Sequence, residues 1–309
     1  MRSAAAALIG LEASASTILG REPSERHVTR LEVAGAVIEI SFDPDRFDLS
    51  AERIMAWVAK AAQAVAVYYG VFPVKKMRVR IESWDDQTGV FHGTTWGSKP
   101  PFTRIFVGRQ TTQQQLDRDW MMTHEMVHTA FPDIADEHHW IEEGIATYVE
   151  PIARVQAGQL PAGKIWNDMV RGMPNGQPRA GDAGLDHTHT WGRTYWGGAL
   201  FCLLADVQIR MVTQNKAGLQ QALRGIQRAG GAIDAEWSIE KALAIGDTAT
   251  QTGVLSMLYR QMKDKPVKID LNSLWRNLGV TVNAGDDASF NTQAPWAATR
   301  LSLTSRLQS

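Results

Sequence analysis

Hydrophobic and polar residues alternate along the first third of the chain, a pattern typical of β-strands. The alternation predicts a hairpin over 27–42 and further strands over 74–83 and 102–107. Between them, apolar residues recur every three or four positions over 51–69, which predicts an amphipathic helix. The first third is therefore expected to be a small sheet with one helix packed against it.

From Thr111 onward the hydrophobic periodicity becomes helical. The predicted helices cover 112–131, 139–157, 191–213, 218–229, 239–244, 250–264 and 271–278. The segment 158–189 is rich in Gly and Pro and is expected to be a long loop that acts as a lid. The tail over 280–309 has only a weak strand pattern. These elements predict an α+β fold, with a sheet-bearing lobe over 21–157 and a mainly helical lobe over 158–309.

The N-terminal segment 1–20 needs a separate interpretation. Arg2 is followed by a short apolar run over 4–11 and then by Ala13-Ser14-Ala15, a pattern similar to a secretory signal with its cleavage site. The alternative is a disordered tail, so export to the periplasm and a cytoplasmic location both stay open. No other stretch approaches the roughly 20 apolar residues of a membrane span. No membrane span is expected.

Composition and charge narrow the class of partner. Of the 309 residues, 44% are hydrophobic and 21% are charged, which is typical of a globular protein with a substantial core. The net charge is −1, without the basic excess of proteins that bind nucleic acid or anionic membranes. A peptide or another small substrate is the expected partner, and the sequence does not indicate an oligomeric state. The single cysteine, Cys202, lies in an apolar run and is expected to be buried.

The sequence His124-Glu125-Met126-Val127-His128 is an H-E-x-x-H motif inside a predicted helix. Residues four positions apart lie on one face of a helix, so both imidazoles can reach a single metal ion. Glu125 lies about 100° further round the helix, where it can contact a water on the metal without binding the metal itself. Four apolar residues are expected to bury this helix: Leu116, Trp120, Val127 and Phe131.

A second helix, predicted to begin near Trp140, carries two candidates for a third ligand, Glu142 and Glu143. Three protein ligands would leave a fourth position for water, which distinguishes catalytic zinc sites from structural ones. With one cysteine in the chain, a thiolate-rich structural zinc site is excluded.

Taken together, H-E-x-x-H followed by W-x-x-E-G-x-A-x-Y-x-E resembles the gluzincin metallopeptidases, in particular the alanyl/leucyl and glycyl aminopeptidase families. The resemblance implies a thermolysin-like zincin lobe that holds one zinc ion through His124, His128 and Glu143. It also implies that Glu125 is the general base and that Glu150 braces a zinc-bound histidine.

A further segment beginning Thr194-Tyr195 resembles the Y-x-x-G helix of these peptidases, and the resemblance implies that Tyr195 donates to the oxyanion. A weaker resemblance to glycyl aminopeptidases continues over 269–280 and 294–300. Residues 91–97 are a candidate edge strand for pairing with an extended substrate. They contain no acidic residue, whereas in the alanyl/leucyl aminopeptidases a Glu of this region binds the substrate amine. Aminopeptidase and endopeptidase activity therefore both stay open.

The sequence thus predicts zinc-dependent hydrolysis of a peptide bond in a peptide or protein substrate. Two alternatives stay open: a zinc hydrolase of a non-peptide amide or ester, and a catalytically inactive binding module that retains the zinc site. The remaining histidines near the motifs are expected to face solvent: His138, His139, His187 and His189.

Overall fold

The computed structural model describes residues 27–282 and 288–306, so the predicted signal or tail over 1–20 lies outside the described residues. Five strands form one mixed sheet in the order β1-β2-β3-β5-β4. They are β1 (His27–Val33), β2 (Ala36–Phe42), β3 (Lys76–Trp84), β4 (Val90–Trp96) and β5 (Phe102–Gly108). β4 pairs antiparallel with β5 only, which makes it an edge strand, as expected for residues 91–97.

Helix α1 (Ala51–Tyr69) covers the inner face of this sheet, because the alternation of strand residues puts an apolar set on that side. The inner face includes Ile38, Ile40, Met77, Val79 and Ile105, all fully buried. The expected packing of one helix against a small sheet is confirmed.

Helices make up most of the remaining described chain. They are α2 (Gln113–Arg118), α3 (Met121–Val127), α4 (His139–Gln156), α5 (Ala162–Gly172), α6 (Gly198–Val212), α7 (Leu219–Arg228), α8 (Ile239–Thr250), α9 (Val254–Met262), α10 (Leu271–Leu278) and α11 (Ala297–Thr304). A short hairpin of β6 (Val280–Val282) and β7 (Ala288–Phe290) precedes α11. None of the described helices combines the length and apolarity that a bilayer crossing needs. The fold is mixed, with one five-stranded sheet and many helices, and its division into two lobes stays a prediction.

The single helix predicted over 112–131 is interrupted at Asp119. The backbone of Asp119 is extended, and its carboxylate accepts hydrogen bonds from the backbone N–H groups of Met121 and Met122. Asp119 therefore ends α2 and caps a new helix, α3, which carries the H-E-x-x-H motif.

The prediction of a long loop over 158–189 is wrong in its first half, where the chain forms α5 and a 3₁₀ turn (Met173–Gly176). The apolar residues Ile165, Trp166 and Met169 fall on one face of α5 and are buried. This short amphipathic pattern lies between glycines and prolines that dominate the local composition. The chain from 177 to 190 is irregular, as expected.

The helix predicted over 191–213 begins with a π-helical segment (Gly192–Gly197) before it continues as α6. Cys202 is buried within α6, as expected. Widened π turns inside helices are frequent at functional sites, and this one contains Tyr195.

Candidate metal centre

Two histidines and one glutamate converge where α3 meets α4. The candidate ligand atoms of His124, His128 and Glu143 all lie within 4.8 Å of one another. His124 is on α3, and His128 begins the 3₁₀ turn that directly follows it. Oε2 of Glu143 lies 3.1 Å from Nε2 of His124 and 3.7 Å from Nε2 of His128. The competing candidate, Glu142, is not in this group.

The geometry and chemistry of this group fit a zinc ion. Zinc binds nitrogen and carboxylate oxygen at about 2.0–2.2 Å, so ligand atoms around a tetrahedral ion lie roughly 3.3 Å apart. The separations between Glu143 and the two histidines are close to that value. Burial lowers the pKa of His128 to about 4, which leaves its ring neutral and able to bind a metal.

Burial alone would raise the pKa of the Glu143 carboxyl. The opposing effects of His128 and of hydrogen bonds from His124 and His139 hold that pKa well below its usual range. Glu143 is therefore a carboxylate at neutral pH, the form that binds cations. His128 and Glu143 are thus in their ligand forms. Burial acts to lower the pKa of His124, but its hydrogen bond to Glu143 and the nearby carboxylates raise that pKa, so a metal ion would have to displace a proton from His124.

Glu125 lies beneath the edge strand β4. The Thr95 hydroxyl is 2.7 Å from Oε2 of Glu125 and donates to it. Gly93, two residues earlier on the same face of β4, has no side chain to separate the strand from Glu125; a Cβ there would lie 2.8 Å from Cγ and Oε1 of Glu125. Burial raises the pKa of Glu125 to about 7, against the lowering effects of His124 and Thr95. A carboxylate with such a pKa is suited to accept and return protons at neutral pH.

A contact between two glycines brings Tyr195 toward the metal ligands. Gly144 directly follows Glu143, and Gly198 begins α6 three residues after Tyr195. A Cβ added at Gly198 would lie 2.7 Å from Cα of Gly144, so the two helices touch through their backbones. The Tyr195 ring stacks on His124 at a centroid distance of 6.2 Å. Burial, with smaller effects of Glu143 and Glu125, raises the pKa of the Tyr195 phenol, which stays protonated and can donate.

Glu150 is buried two turns beyond Glu143 on α4, and its carboxylate accepts a hydrogen bond from Nη1 of Arg154 at 2.8 Å. Burial raises the pKa of Glu150 to about 7, although Arg154 acts to lower it. Nδ1 of His124 is buried and has no hydrogen-bond partner among the described residues. The expected brace from Glu150 to a zinc-bound histidine therefore stays a prediction.

His139 is a site residue that the sequence interpretation missed. Its Nδ1 lies 2.9 Å from Oε2 of Glu142, and its Nε2 lies 3.3 Å from Oε1 of Glu143. These hydrogen bonds raise the pKa of His139 to about 10. The spacing of His139 four residues before Glu143 on a helix was the available sequence signal.

The expectation that His138 faces solvent is also wrong, since its side chain is only 12% exposed and its Nδ1 lies 3.0 Å from Asp186. His187 and His189 are exposed, as expected, and His187 pairs with Asp264 at 2.8 Å. Trp120, by contrast, was expected to be buried but is 49% exposed. It packs edge-on against His124, with the ring centroids 5.3 Å apart.

The fold is similar to solved structures of zinc peptidases. An aminopeptidase N family protein from Idiomarina loihiensis has a TM-score of 0.61 and 15% identity, over 84% of this chain and 50% of that one. An M1 zinc metallopeptidase from Deinococcus radiodurans has a TM-score of 0.51 and 13% identity, over 80% of this chain and 53% of that one. The chain thus spans about half the length of these proteins. No protein-family profile matches the sequence, and no curated protein does either.

Proposed function

We propose that this chain is a zinc-dependent peptidase of the gluzincin type, which cleaves peptide bonds by hydrolysis. The observation that carries the proposal is the convergence of His124, His128 and Glu143, with ligand atoms within 4.8 Å of one another. Glu125 adjoins this group on α3, at the position that suits a general base. The likeness of the fold to zinc metallopeptidases supports the same assignment.

In this proposal His124, His128 and Glu143 would hold one zinc ion. When bound, zinc supplies a Lewis acid that polarises a carbonyl and makes water acidic enough to attack at neutral pH. The histidines would have to bind in their neutral form, and Glu143 would contribute a negative charge. Glu150, buried on the same face of α4 as Glu143, is assigned to brace a zinc-bound histidine.

Glu125 moves the proton. Thr95 occupies Oε2 of Glu125 with a hydrogen bond, so Oε1 is the oxygen that accepts the proton of the attacking water. The water oxygen joins the carbonyl carbon, the C–N bond breaks, and Glu125 delivers the proton to the leaving amine nitrogen. The carboxylate is thereby restored for the next turnover.

Tyr195 and β4 position the substrate. The protonated phenol of Tyr195 donates a hydrogen bond to the oxygen of the tetrahedral carbon, where negative charge develops. The free edge of β4 offers backbone donors and acceptors to an extended peptide, which adds to the sheet as a further strand. Because such pairing uses only the backbone, it suits a peptide better than a compact amide or ester.

The experiment is a metal analysis of the purified protein together with a peptide-library digest. We expect one zinc per chain and cleavage by the wild type. Glu125→Gln should keep the zinc and lose cleavage, whereas Glu143→Ala should lose the zinc. Full cleavage by Glu125→Gln would contradict the role of Glu125. Wild-type protein that binds zinc and cleaves only non-peptide amides or esters would favour that alternative, and zinc without hydrolysis of any of these would favour a binding module.

A further inference from the structure

Two exposed tryptophans flank the candidate metal centre. Trp120 is 49% exposed and Trp191 is 64% exposed, although the same chain buries Trp140 and Trp166 almost completely. Each exposed tryptophan precedes a residue of the site by four positions, Trp120 before His124 and Trp191 before Tyr195. Each indole contacts the ring of that site residue.

The four rings form a continuous row. The Trp120 and His124 centroids are 5.3 Å apart in an edge-to-face contact, and the His124 and Tyr195 rings stack at 6.2 Å. Tyr195 in turn stacks on Trp191 at 6.2 Å, with 29° between the ring planes. The two exposed indoles are therefore the two ends of a row whose middle members are a metal-ligand candidate and the proposed donor.

Exposed apolar surface that gathers around a site is a common feature of ligand-binding surfaces. Trp84 is also half-exposed, but its ring packs on Phe91 and Phe106 rather than on a ring of the site. Exposure alone is thus not the distinguishing property of Trp120 and Trp191. The distinguishing property is their direct contact with His124 and Tyr195, because a group that packs on either indole would also lie next to one of these two side chains.

The charges nearby favour an apolar occupant. Residues 91–97 of the facing strand carry no acidic side chain that could bind a substrate amine. The carboxylates beside the row, Glu125 and Glu143, are buried, and the proposed reaction uses both. Indole faces offer flat apolar area with few rotatable bonds, which suits an aromatic side chain lying parallel or edge-on.

We infer that Trp120 and Trp191 are specificity-determining residues that line subsites for a large aromatic side chain next to the scissile bond. The inference rests on the proposed peptidase function and names its substrate class: peptides with Phe, Tyr or Trp at a residue flanking the cleaved bond. Packing of an aromatic side chain on an indole is expected to raise kcat/KM by about tenfold over that of a substrate with a small side chain.

The test uses pairs of peptides that differ only in having Phe or Ala next to the cleaved bond. In one pair the variable residue lies on the N-terminal side of that bond, and in the other pair it lies on the C-terminal side. The wild type should have a kcat/KM for the Phe peptide about ten times that for the Ala peptide. Trp120→Ala or Trp191→Ala should bring that ratio close to one, because kcat/KM should fall about tenfold more for the Phe peptide than for the Ala peptide. Trp→Phe at the same position should restore part of the preference. Leu301→Ala, which truncates a 58% exposed side chain on α11, is the control and should keep the full ratio.

Binding gives a second measurement that does not need turnover. Zinc-loaded Glu125→Gln should bind the Phe peptide about tenfold more tightly than the Ala peptide, and combining it with either tryptophan substitution should abolish the difference. Equal affinity for both peptides, a preference for Lys or Arg, or an equal loss of both activities in the tryptophan variants would overturn the inference. Peptide cleavage without an aromatic preference would contradict only the inference about the two tryptophans and would still support the proposed peptidase function.

Discussion

Nε2 of His139 lies 3.3 Å from Oε1 of Glu143, while Oε2 of the same carboxylate faces His124 and His128. The two oxygens of Glu143 therefore have different neighbours, and His139 holds the one that points away from the histidine pair. His139 is itself held by Glu142 through Nδ1. Hydrogen bonds of this kind orient metal ligands and raise metal affinity.

His139→Ala is therefore expected to weaken zinc binding by about 10- to 100-fold, the usual effect of losing such a partner. Competition with a chromogenic chelator measures the zinc affinity directly. His187→Ala is the matched control, because His187 is exposed and pairs with Asp264 on the surface. Unchanged affinity in His139→Ala would show that Glu143 needs no support from this side.

Gly93→Ala is expected to reduce kcat by at least about tenfold with zinc content unchanged. The added Cβ would lie 2.8 Å from Cγ and Oε1 of Glu125, so that carboxylate must move. Moving a reacting group by about 1 Å typically lowers the rate by one to two powers of ten. Thr94→Ala changes the opposite face of the same strand and should leave kcat near the wild-type value. Full activity in Gly93→Ala would contradict the role of Glu125 as the general base.

Thr95→Val is expected to shift the acid limb of the kcat/KM profile to higher pH. The Thr95 hydrogen bond lowers the pKa of Glu125, so its removal raises that pKa. A general base acts when ionised, and activity is lost as pH falls through its pKa; a raised pKa moves this loss upward. Bound zinc would lower the pKa that sets this limb in the wild type and in Thr95→Val alike. The measured quantity is therefore the difference in pKa between the two proteins. Coincident limbs would contradict the assignment of the base.

Tyr195→Phe is expected to slow turnover by about 10²–10³-fold, the usual contribution of one oxyanion donor. The ring stacking on His124 is kept in this variant, so zinc content and thermal stability should not change. Single-turnover kinetics separates the chemical step from substrate binding. Wild-type turnover in Tyr195→Phe would assign the phenol to packing.

Gly198→Ala is expected to destabilise the fold by about 2 kcal/mol or more, as overpacking of a close contact does. The new Cβ would meet the backbones of Trp140 and Gly144. Urea unfolding gives the free energy of unfolding. Gly253→Ala is the control, because a Cβ there meets nothing within 4 Å and its φ of −117° suits any residue.

The three residues that the sequence indicated as candidate ligands, His124, His128 and Glu143, converge in the fold. The one-turn spacing of His124 and His128 follows from helix geometry. The choice of Glu143 over Glu142 came from the family resemblance, in which the ligand glutamate directly precedes a glycine. The break at Asp119 was missed because an apolar periodicity continues on both sides of it, while the side-chain hydrogen bonds that start α3 leave little trace in that pattern. The helix α5 was missed because it is short and lies between glycines and prolines.

Contacts between distant segments were beyond any periodicity argument. Thr95 and Gly93 reach Glu125 across about 30 residues of sequence, through the pairing of β4 at the sheet edge. Trp120 follows the apolar pattern of its helix and was therefore expected in the core, although half of its side chain is exposed. Its neighbour His124 explains the position better than the hydrophobic pattern does.

The close approach of Gly144 and Gly198 has a consequence for engineering. Because α4 and α6 touch without intervening side chains, Glu143 and Tyr195 keep their spacing when surrounding residues are exchanged. The exposed indoles of Trp120 and Trp191 and the edge strand, in contrast, take no part in this glycine contact. Substitutions meant to change selectivity therefore belong at the exposed indoles and the edge strand, with the paired glycines kept as the fixed reference of the site.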